Sequence, residues 1–151
     1  VEYLPATQIK DLKPGVNYQY FEGFFKSTDD LATARIKKSG TYKNISLEIA
    51  AVCDSFALEF QAWLKIPKKA VYRFYTFSDD GSKLFIDGIE VVNNDGSHRA
   101  KREAGTIALD EGVHELRLLY FENNKSNILE LGFASIAIRE CKIPDSYFYL
   151  K

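Results

Sequence analysis

Apolar and polar residues alternate along several stretches of the chain, which predicts strands with one buried side and one solvent-facing side. The clearest stretch is FALEFQAWLKI, residues 56–66, in which every second residue from Phe56 to Ile66 is apolar. Shorter alternations recur in VHELRLLYF and ILELGF, residues 113–121 and 128–133. We therefore expect one shared core that contains Phe60, Leu64, Tyr72, Phe74, Leu116, Leu118, Leu129 and Leu131.

Turn-forming residues separate short apolar runs along the whole chain, and no segment has a persuasive helical period. This pattern is typical of an all-β chain folded as an antiparallel sandwich or barrel. The least patterned part, residues 26–40, is predicted to be a loop with a short strand. The predicted strands are 16–25, 42–49, 56–66, 71–77, 83–86, 90–92, 105–109, 113–121, 128–138 and 146–150.

The segment SDDGSKLFIDG, residues 78–88, combines an Asp-Asp pair with a tight hairpin. Asp87-Gly88 is predicted to be a two-residue turn, because Asp and Gly tolerate the positive φ that such turns need. Asp79 and Asp80 follow a predicted strand, so their carboxylates should lie at the lip of the β-structure. Neighbouring strand residues point to opposite faces. Both aspartates can therefore chelate one ion only where the backbone between them bends, for example at a cis peptide bond.

Composition narrows the classes of partner. The length of 151 residues predicts one domain. The net charge is −1 and the positive and negative residues are interspersed, which predicts that nucleic acid is not a partner. No apolar run approaches the ~20 residues of a membrane-spanning helix. The first residue is not Met, which indicates a piece of a larger protein.

Cys53 and Cys141 have no zinc or redox spacing, and we expect two buried free thiols rather than a disulfide.

The motifs of this chain, taken in order, resemble the PA14 domain named after anthrax protective antigen. The resemblance implies a β-sandwich or barrel over residues 15–151, preceded by a linker or extension over residues 1–14. Two departures are Ala62 and Trp63, where the family usually has Gly and Tyr. The matching motifs are FQAWLKIP (60–67), VYRF (71–74), SDDGSKLFIDG (78–88), VVNNDGSH (91–98), YFE (120–122), LEL (129–131) and IP (143–144).

PA14 domains occur in bacterial glycosidases, other secreted enzymes, toxins and yeast adhesins, generally as carbohydrate-binding or carbohydrate-associated modules. The NDGSH and IPDS segments look most like copies in bacterial glycoside hydrolases such as β-N-acetylhexosaminidases. The resemblance thus implies a non-catalytic carbohydrate-binding accessory domain, located in the periplasm, outside the cell or at its surface. Its partners would be a glycan and the catalytic domain of the same polypeptide. The alternatives are a structural module that packs on that domain without binding sugar, and an adhesin-type lectin domain.

In yeast adhesins of the family, adjacent aspartates bind calcium, and Asp79 and Asp80 are the matching positions. Calcium takes six to eight oxygen ligands, so others must come from elsewhere, and Glu122, Asn123 and Asn124 are the best candidates. The alternative is that one Asp caps the turn and the other faces solvent. The carbohydrate-binding residues predicted from the resemblance and the loop chemistry are Asp79, Asp80, Asn94, Asp95, His98 and Asn123.

The polar loop at residues 93–98 has a second interpretation, in which Asp95 and His98 brace the Asp79-Asp80 loop. Trp63 and Tyr75 could stack on sugar, although contact with a neighbouring domain is the favoured interpretation. No nucleophile elbow, P-loop or zinc spacing is present, so we expect that the chain alone hydrolyses nothing. We expect segments 79–80, 94–98 and 122–124 to converge on one rim, because loops at one end of a sandwich commonly carry binding groups.

Overall fold

A computed structural model describes residues 1–124 and 126–151. Within these residues the chain forms twelve β-strands and three short 3-10 helices. The 3-10 helices are Thr28–Ala32, Leu47–Ile49 and Asp145–Tyr147. The strands are β1 Lys13–Pro14, β2 Val16–Glu22, β3 Lys38–Tyr42, β4 Phe56–Ile66, β5 Ala70–Asp79, β6 Ser82–Ile86, β7 Ile89–Asn94, β8 Lys101–Leu109, β9 Gly112–Glu122, β10 Ile128–Ala134, β11 Cys141–Lys142 and β12 Phe148–Leu150.

Two antiparallel sheets face each other across the core. The larger sheet has the strand order β1-β12-β4-β9-β6-β7, with β2 beside β4 and β3 beside β2. The smaller sheet has the order β11-β10-β5-β8. Neither sheet closes into a barrel, so the prediction of an all-β antiparallel fold is confirmed in its sandwich form. In the described part of the chain, no helix is long and apolar enough to span a membrane.

The alternation of β4 determines which residues form the core. Its predicted bounds and its buried face are both confirmed, since every second side chain from Phe56 to Ile66 is at most 5% exposed. β4 pairs with β9 along its entire length, which places Phe60 beside Leu118. All eight residues predicted to share the core do so, with Leu129 partly buried at its edge.

A second apolar cluster lies on the other side of the larger sheet, where the alternation predicted solvent. The segment between β2 and β3 folds over this side and buries Ala57, and the cluster also contains Phe21, Phe25, Leu31, Leu119 and Phe121. Ser27 caps the 3-10 helix Thr28–Ala32 by accepting a hydrogen bond from the backbone N–H of Asp29 at 2.9 Å. The sequence therefore indicated the loop and the short strand here, but not the helix that covers the sheet.

Four predicted strands are wrong in part. The predicted strands 16–25 and 146–150 extend beyond β2, which ends at Glu22, and β12, which begins at Phe148. Residues 43–49 are not a strand, because the Ser46 hydroxyl accepts from the Glu48 N–H and begins a 3-10 helix instead. β10 ends at Ala134, where Ser135 and Ile138 form a reciprocal backbone turn. The cysteines are unpaired as expected, but both are exposed, so the prediction that they are buried is wrong.

The end of the sandwich that contains the Asp87-Gly88 turn also holds a buried histidine. Asp87 and Gly88 have φ values of 52° and 79°, which confirms the predicted hairpin. The side chain of His114 is 0% exposed. Its ring nitrogens lie 2.6 Å from an Asp87 carboxylate oxygen and 2.9 Å from the Asp110 carbonyl oxygen. This histidine therefore connects the β6–β7 turn of the larger sheet to the β8–β9 turn, which joins the two sheets.

The packing of β4 makes a direct prediction about stability. Replacing Phe60 by Ala removes a fully buried ring, so we expect the free energy of unfolding to fall by about 3–5 kcal/mol. Lys65→Ala on the same strand is exposed and should change it by less than about 0.5 kcal/mol. Urea unfolding of both variants measures the difference. A Phe60→Ala variant as stable as Lys65→Ala would contradict the assigned core.

Candidate functional site: a carboxylate rim between three loops

Three segments that are far apart in sequence meet at one end of the sandwich, as expected. They are the β5–β6 connection with Asp79 and Asp80, the β7–β8 loop, and the end of β9 with the residues after it. Asp79, Asp80, Ser97, His98, Arg99 and Asn124 line a cleft of about 260 Å³ between them. The structure thus brings the predicted segments together on one rim.

Asp80 ties these segments to one another. Its Oδ1 accepts hydrogen bonds from the Ser97 hydroxyl and from the His98 backbone N–H, both at 3.1 Å. Its Oδ2 accepts from the backbone N–H of Asn123 at 2.9 Å. Asp80 is only 6% exposed. A single buried carboxylate therefore fixes the positions of the other two loops.

Three carboxylates lie together beneath the cleft. One oxygen from each of Asp79, Asp80 and Glu122 lies within 4.8 Å of the other two. The peptide bond between Asp79 and Asp80 is cis. Glu122 is 0% exposed, and its oxygens have no amide, hydroxyl or cationic donor among the described residues, only the neighbouring carboxyl group of Asp54. A buried carboxylate without such donors is unfavourable, because desolvation of its charge is not compensated.

The electrostatics of the cluster follow from this crowding. Burial, followed by a hydrogen bond shared with the Asp54 carboxyl group and by the negative charges of Asp54, Asp80 and Asp79, raises the pKa of Glu122 to about 8. Burial and the adjacent charge of Asp80 also raise the pKa of Asp79, although His98 opposes the shift. No ion pair between described residues includes Asp79, Asp80 or Glu122. The cluster therefore offers oxygen ligands and negative charge without a protein cation to balance them.

The side chain of Asn94 lies below the rim and is 2% exposed. Its amide nitrogen donates to the Lys101 carbonyl at 2.8 Å and contacts Thr76 and Ser78 at 3.3–3.4 Å. The Ser78 and Ser82 hydroxyls, 2.7 Å apart, continue this buried network. Asn94 thus joins the base of the β7–β8 loop to the smaller sheet. Its predicted contact with sugar stays a prediction.

Asp95 is held by Thr28, the first residue of the first 3-10 helix. Its carboxylate accepts from the Thr28 backbone N–H at 2.8 Å, from the Thr28 hydroxyl at 2.9 Å and from the Gly96 N–H at 2.8 Å. The Lys83 ammonium lies 3.9 Å away and also contacts Asp29 and Glu90. Asp95 therefore braces the rim through Thr28, a residue that the sequence did not single out.

His98 and Asn123 also have contacts within the protein. The His98 ring nitrogens lie 2.6 Å from the Arg99 carbonyl oxygen and 2.8 Å from that of Asn94. The Asn123 amide accepts from the Phe25 N–H at 2.9 Å and donates to the Phe25 carbonyl at 2.7 Å. Of the six predicted binding residues, only Asp79, Asp80 and His98 line the cleft. Bracing is the role that the observed contacts give Asn94, Asp95 and Asn123.

Several residues of the site had no clear signal in the sequence. Asp54 approaches Glu122 because the start of β4 pairs with the end of β9, and Thr28 approaches the rim because the β2–β3 segment folds over the larger sheet. Arg99 is exposed and lines the cleft, but in the sequence it belongs to a short basic run that resembles a solvated surface. Tyr75 is covered rather than open, since the Arg102 guanidinium lies 3.7 Å from the centre of its ring.

Comparison with known proteins gives relatives of two kinds. The anti-sigma-I factor RsgI3 of Acetivibrio thermocellus is 24% identical over 97 residues, which are 64% of this chain and 15% of that protein. The structure of an anti-sigma factor domain-containing protein from Clostridium clariflavum has a TM-score of 0.75 at 22% identity, covering 91% of this chain and 47% of that one. The Epithelial Adhesin 6 A domain of Candida glabrata, in complex with Galβ1-3GlcNAc, has a TM-score of 0.70 at 8% identity, covering 93% and 88%.

These structural likenesses concern the fold, and the chain spans only 15% of the curated relative and less than half of the anti-sigma factor structure. The family match is broader, because the PA14 domain matches residues 12–147. That span contains strands β1 to β11 and all three segments of the carboxylate rim. This chain belongs to the PA14 domain family.

Proposed function

We propose that this chain is a calcium-dependent glycan-binding domain whose binding site is the carboxylate rim. The observation that carries the proposal is Glu122. Its buried carboxyl group has no amide, hydroxyl or cationic donor among the described residues and lies against other carboxyl groups, those of Asp54, Asp79 and Asp80. A bound divalent cation would neutralise this cluster and would satisfy the oxygens that the protein leaves without such donors.

The residues present fit calcium. Calcium prefers six to eight oxygen ligands in flexible geometry, and carboxylates supply oxygens together with charge. Asp79, Asp80 and Glu122 would hold the cation. The hydrogen bonds to Asp80 from Ser97, His98 and Asn123 orient its carboxylate, much as outer hydrogen bonds orient ligands in other metal sites. When bound, such a cation can coordinate the hydroxyl groups of a sugar.

The cleft also offers polar groups of its own to a sugar. Arg99 and Asn124 are exposed and line the cleft, as does Ser97, whose hydroxyl donates a hydrogen bond to Asp80. Guanidinium, amide and hydroxyl groups hydrogen-bond to vicinal hydroxyls. The Candida glabrata adhesin domain, which has a similar fold, binds Galβ1-3GlcNAc, and this supports a glycan as the ligand. We propose that Arg99 and Asn124 contact the sugar in place of Asn94, Asp95 and Asn123, whose side chains brace the rim.

The parent protein is a separate part of the proposal. The sequence predicted a secreted or periplasmic glycoside hydrolase, whereas the named relatives include anti-sigma factors. These relatives favour a larger protein of the anti-sigma type that carries the domain as a glycan-recognition module. The adhesin neighbour supports a location outside the cell or at its surface. The accessory role beside a catalytic domain stays a prediction.

The charge of Glu122 predicts how stability depends on pH in the absence of divalent cations. Its pKa is about 8 in the folded chain, against an ordinary value of 4.5. The folded state therefore keeps a proton that the unfolded state loses as pH rises above 4.5, and the free energy of unfolding falls until about pH 8. In EDTA, Glu122→Gln should reduce this decline and should have a higher melting temperature than wild type at pH 8.

Glu115→Gln is the matched control, because it removes an exposed carboxylate from the same strand. Its melting temperature should follow that of wild type across the pH range. Calcium should then reverse the order at pH 8, since it stabilises wild type and Glu115→Gln but not Glu122→Gln. Equal calcium-induced shifts in all three proteins would remove Glu122 from the site.

Glycan binding should depend on the cation and on Asp79, which is not one of the ties that hold the rim. We expect Asp79→Asn to fold normally and to lose both calcium binding and calcium-dependent glycan binding. Asp11→Asn, an exposed change of the same charge, should retain both. A glycan array followed by calorimetry, with calcium and with EDTA, measures this. Array binding that is equally strong in EDTA and in Asp79→Asn would contradict a cation-dependent site.

A further inference from the structure

A second candidate surface lies on the outer face of the larger sheet, away from the carboxylate rim. Six polar side chains from three neighbouring strands line a groove of about 370 Å³, together with Tyr18 and Gly40. This volume lies within the range of small-molecule sites. The six side chains, here called the amide face, are Asn17, Gln19, Ser39, Thr41, Glu59 and Gln61.

The strand register arranges these side chains in two rows. Asn17 pairs with Thr41 on one side and with Gln61 on the other. Gln19 similarly pairs with Ser39 and Glu59. Directly paired residues on antiparallel strands present their side chains on the same face, about 4.5–5.5 Å apart. The amide face is therefore a continuous surface of amide and hydroxyl groups across β3, β2 and β4.

The charge of this surface is balanced. Its only carboxylate is Glu59, whose oxygen lies 3.7 Å from the Arg117 guanidinium nitrogen. Arg117 is paired in register with Gln61 and stacks over Phe85 at 4.7 Å. Amides and hydroxyls both donate and accept hydrogen bonds. Such a surface matches a neutral polyhydroxyl chain better than a charged polymer, which would need an excess of one sign.

Aromatic residues continue the surface along β4. Trp63 is two residues from Gln61, so it lies on the same face about 7 Å further along the strand. It is half-buried and pairs in register with Tyr149 of β12. Trp63 also lines a second shallow cleft of about 340 Å³ with Leu4, Pro5 and Thr7. An indole beside amides offers both an apolar platform and hydrogen bonds.

We propose that the amide face and Trp63 form a second glycan-binding surface, which takes a neutral oligosaccharide lying along β4 without a cation. The apolar face of a sugar ring rests on Trp63, and its hydroxyls bond to Asn17 and Gln61. This surface is independent of the carboxylate rim, because none of its residues belongs to the three rim segments. Each of the two surfaces therefore binds glycan without the other.

Trp63 is the only tryptophan in the chain, so its fluorescence reports this surface alone. The experiment titrates the protein in EDTA with neutral hexasaccharides of the cello, xylo, manno and chito series, and with polygalacturonate as a charged comparison. At least one neutral hexasaccharide should shift the Trp63 emission saturably. The combined change Asn17→Ala and Gln61→Ala should weaken that binding at least tenfold. Thr106→Ala, an exposed polar residue of the smaller sheet, should not change it.

The Asp79→Asn variant separates this proposal from the proposed function. Saturable emission shifts in EDTA that persist in Asp79→Asn support the second surface, whether or not the rim binds glycan. The proposal is overturned if no neutral hexasaccharide shifts the emission. It is also overturned if the shift requires calcium and Asp79, or if polygalacturonate binds as tightly as the neutral chains. Binding unaffected by the double substitution would exclude the amide face as well.

Discussion

The carboxylate of Asp80 is the point at which three loops of this domain meet. It accepts hydrogen bonds from the Ser97 hydroxyl and from the backbone N–H groups of His98 and Asn123, and it is nearly buried. Hydrogen bonds to a charged group contribute about 1.5–3 kcal/mol each. Loss of this acceptor would leave buried donors without partners. The shape of the cleft thus depends on the same side chain that would help to hold a cation.

This dual role explains why the rim is crowded with negative charge. Asp80 accepts hydrogen bonds on both of its carboxylate oxygens, and one oxygen each of Asp79 and Glu122 lies within 4.8 Å of it. Lys83, whose ammonium lies 3.9 Å from the Asp95 carboxylate, is shared among Asp29, Glu90 and Asp95. Within the described residues, the domain therefore places three carboxylates together and balances none of them. Sites with this arrangement are typical of hard divalent cations.

The sandwich was largely predictable because its core follows a simple period. The alternation in residues 56–66 predicts both the bounds of β4 and its buried face, and the Asp87-Gly88 dipeptide predicts a hairpin that the structure confirms. Local capping was harder to foresee. Ser27 and Ser46 bond to backbone N–H groups two residues later and begin 3-10 helices in segments predicted as loop or strand.

The site was predictable in position but not in its internal contacts. Strand ends placed Asp79, Asp80 and Glu122 at one rim, since loops at a common end of a sandwich must lie near one another. Whether a polar side chain faces the cleft or braces a loop depends on which loop folds beside it. Asn123 pairs with the backbone of Phe25, 98 residues away, and Asp95 pairs with Thr28. No local pattern encodes such partners.

The most direct test is a crystal structure of the domain grown with calcium, with the ion located by its anomalous scattering. We expect one ion at the rim, with oxygens of Asp79, Asp80 and Glu122 at about 2.3–2.6 Å from it. The hydrogen bonds from Ser97, His98 and Asn123 to Asp80 should be retained. A rim without an anomalous peak at saturating calcium, in which water or another side chain satisfies the Glu122 carboxylate, would contradict the proposed site.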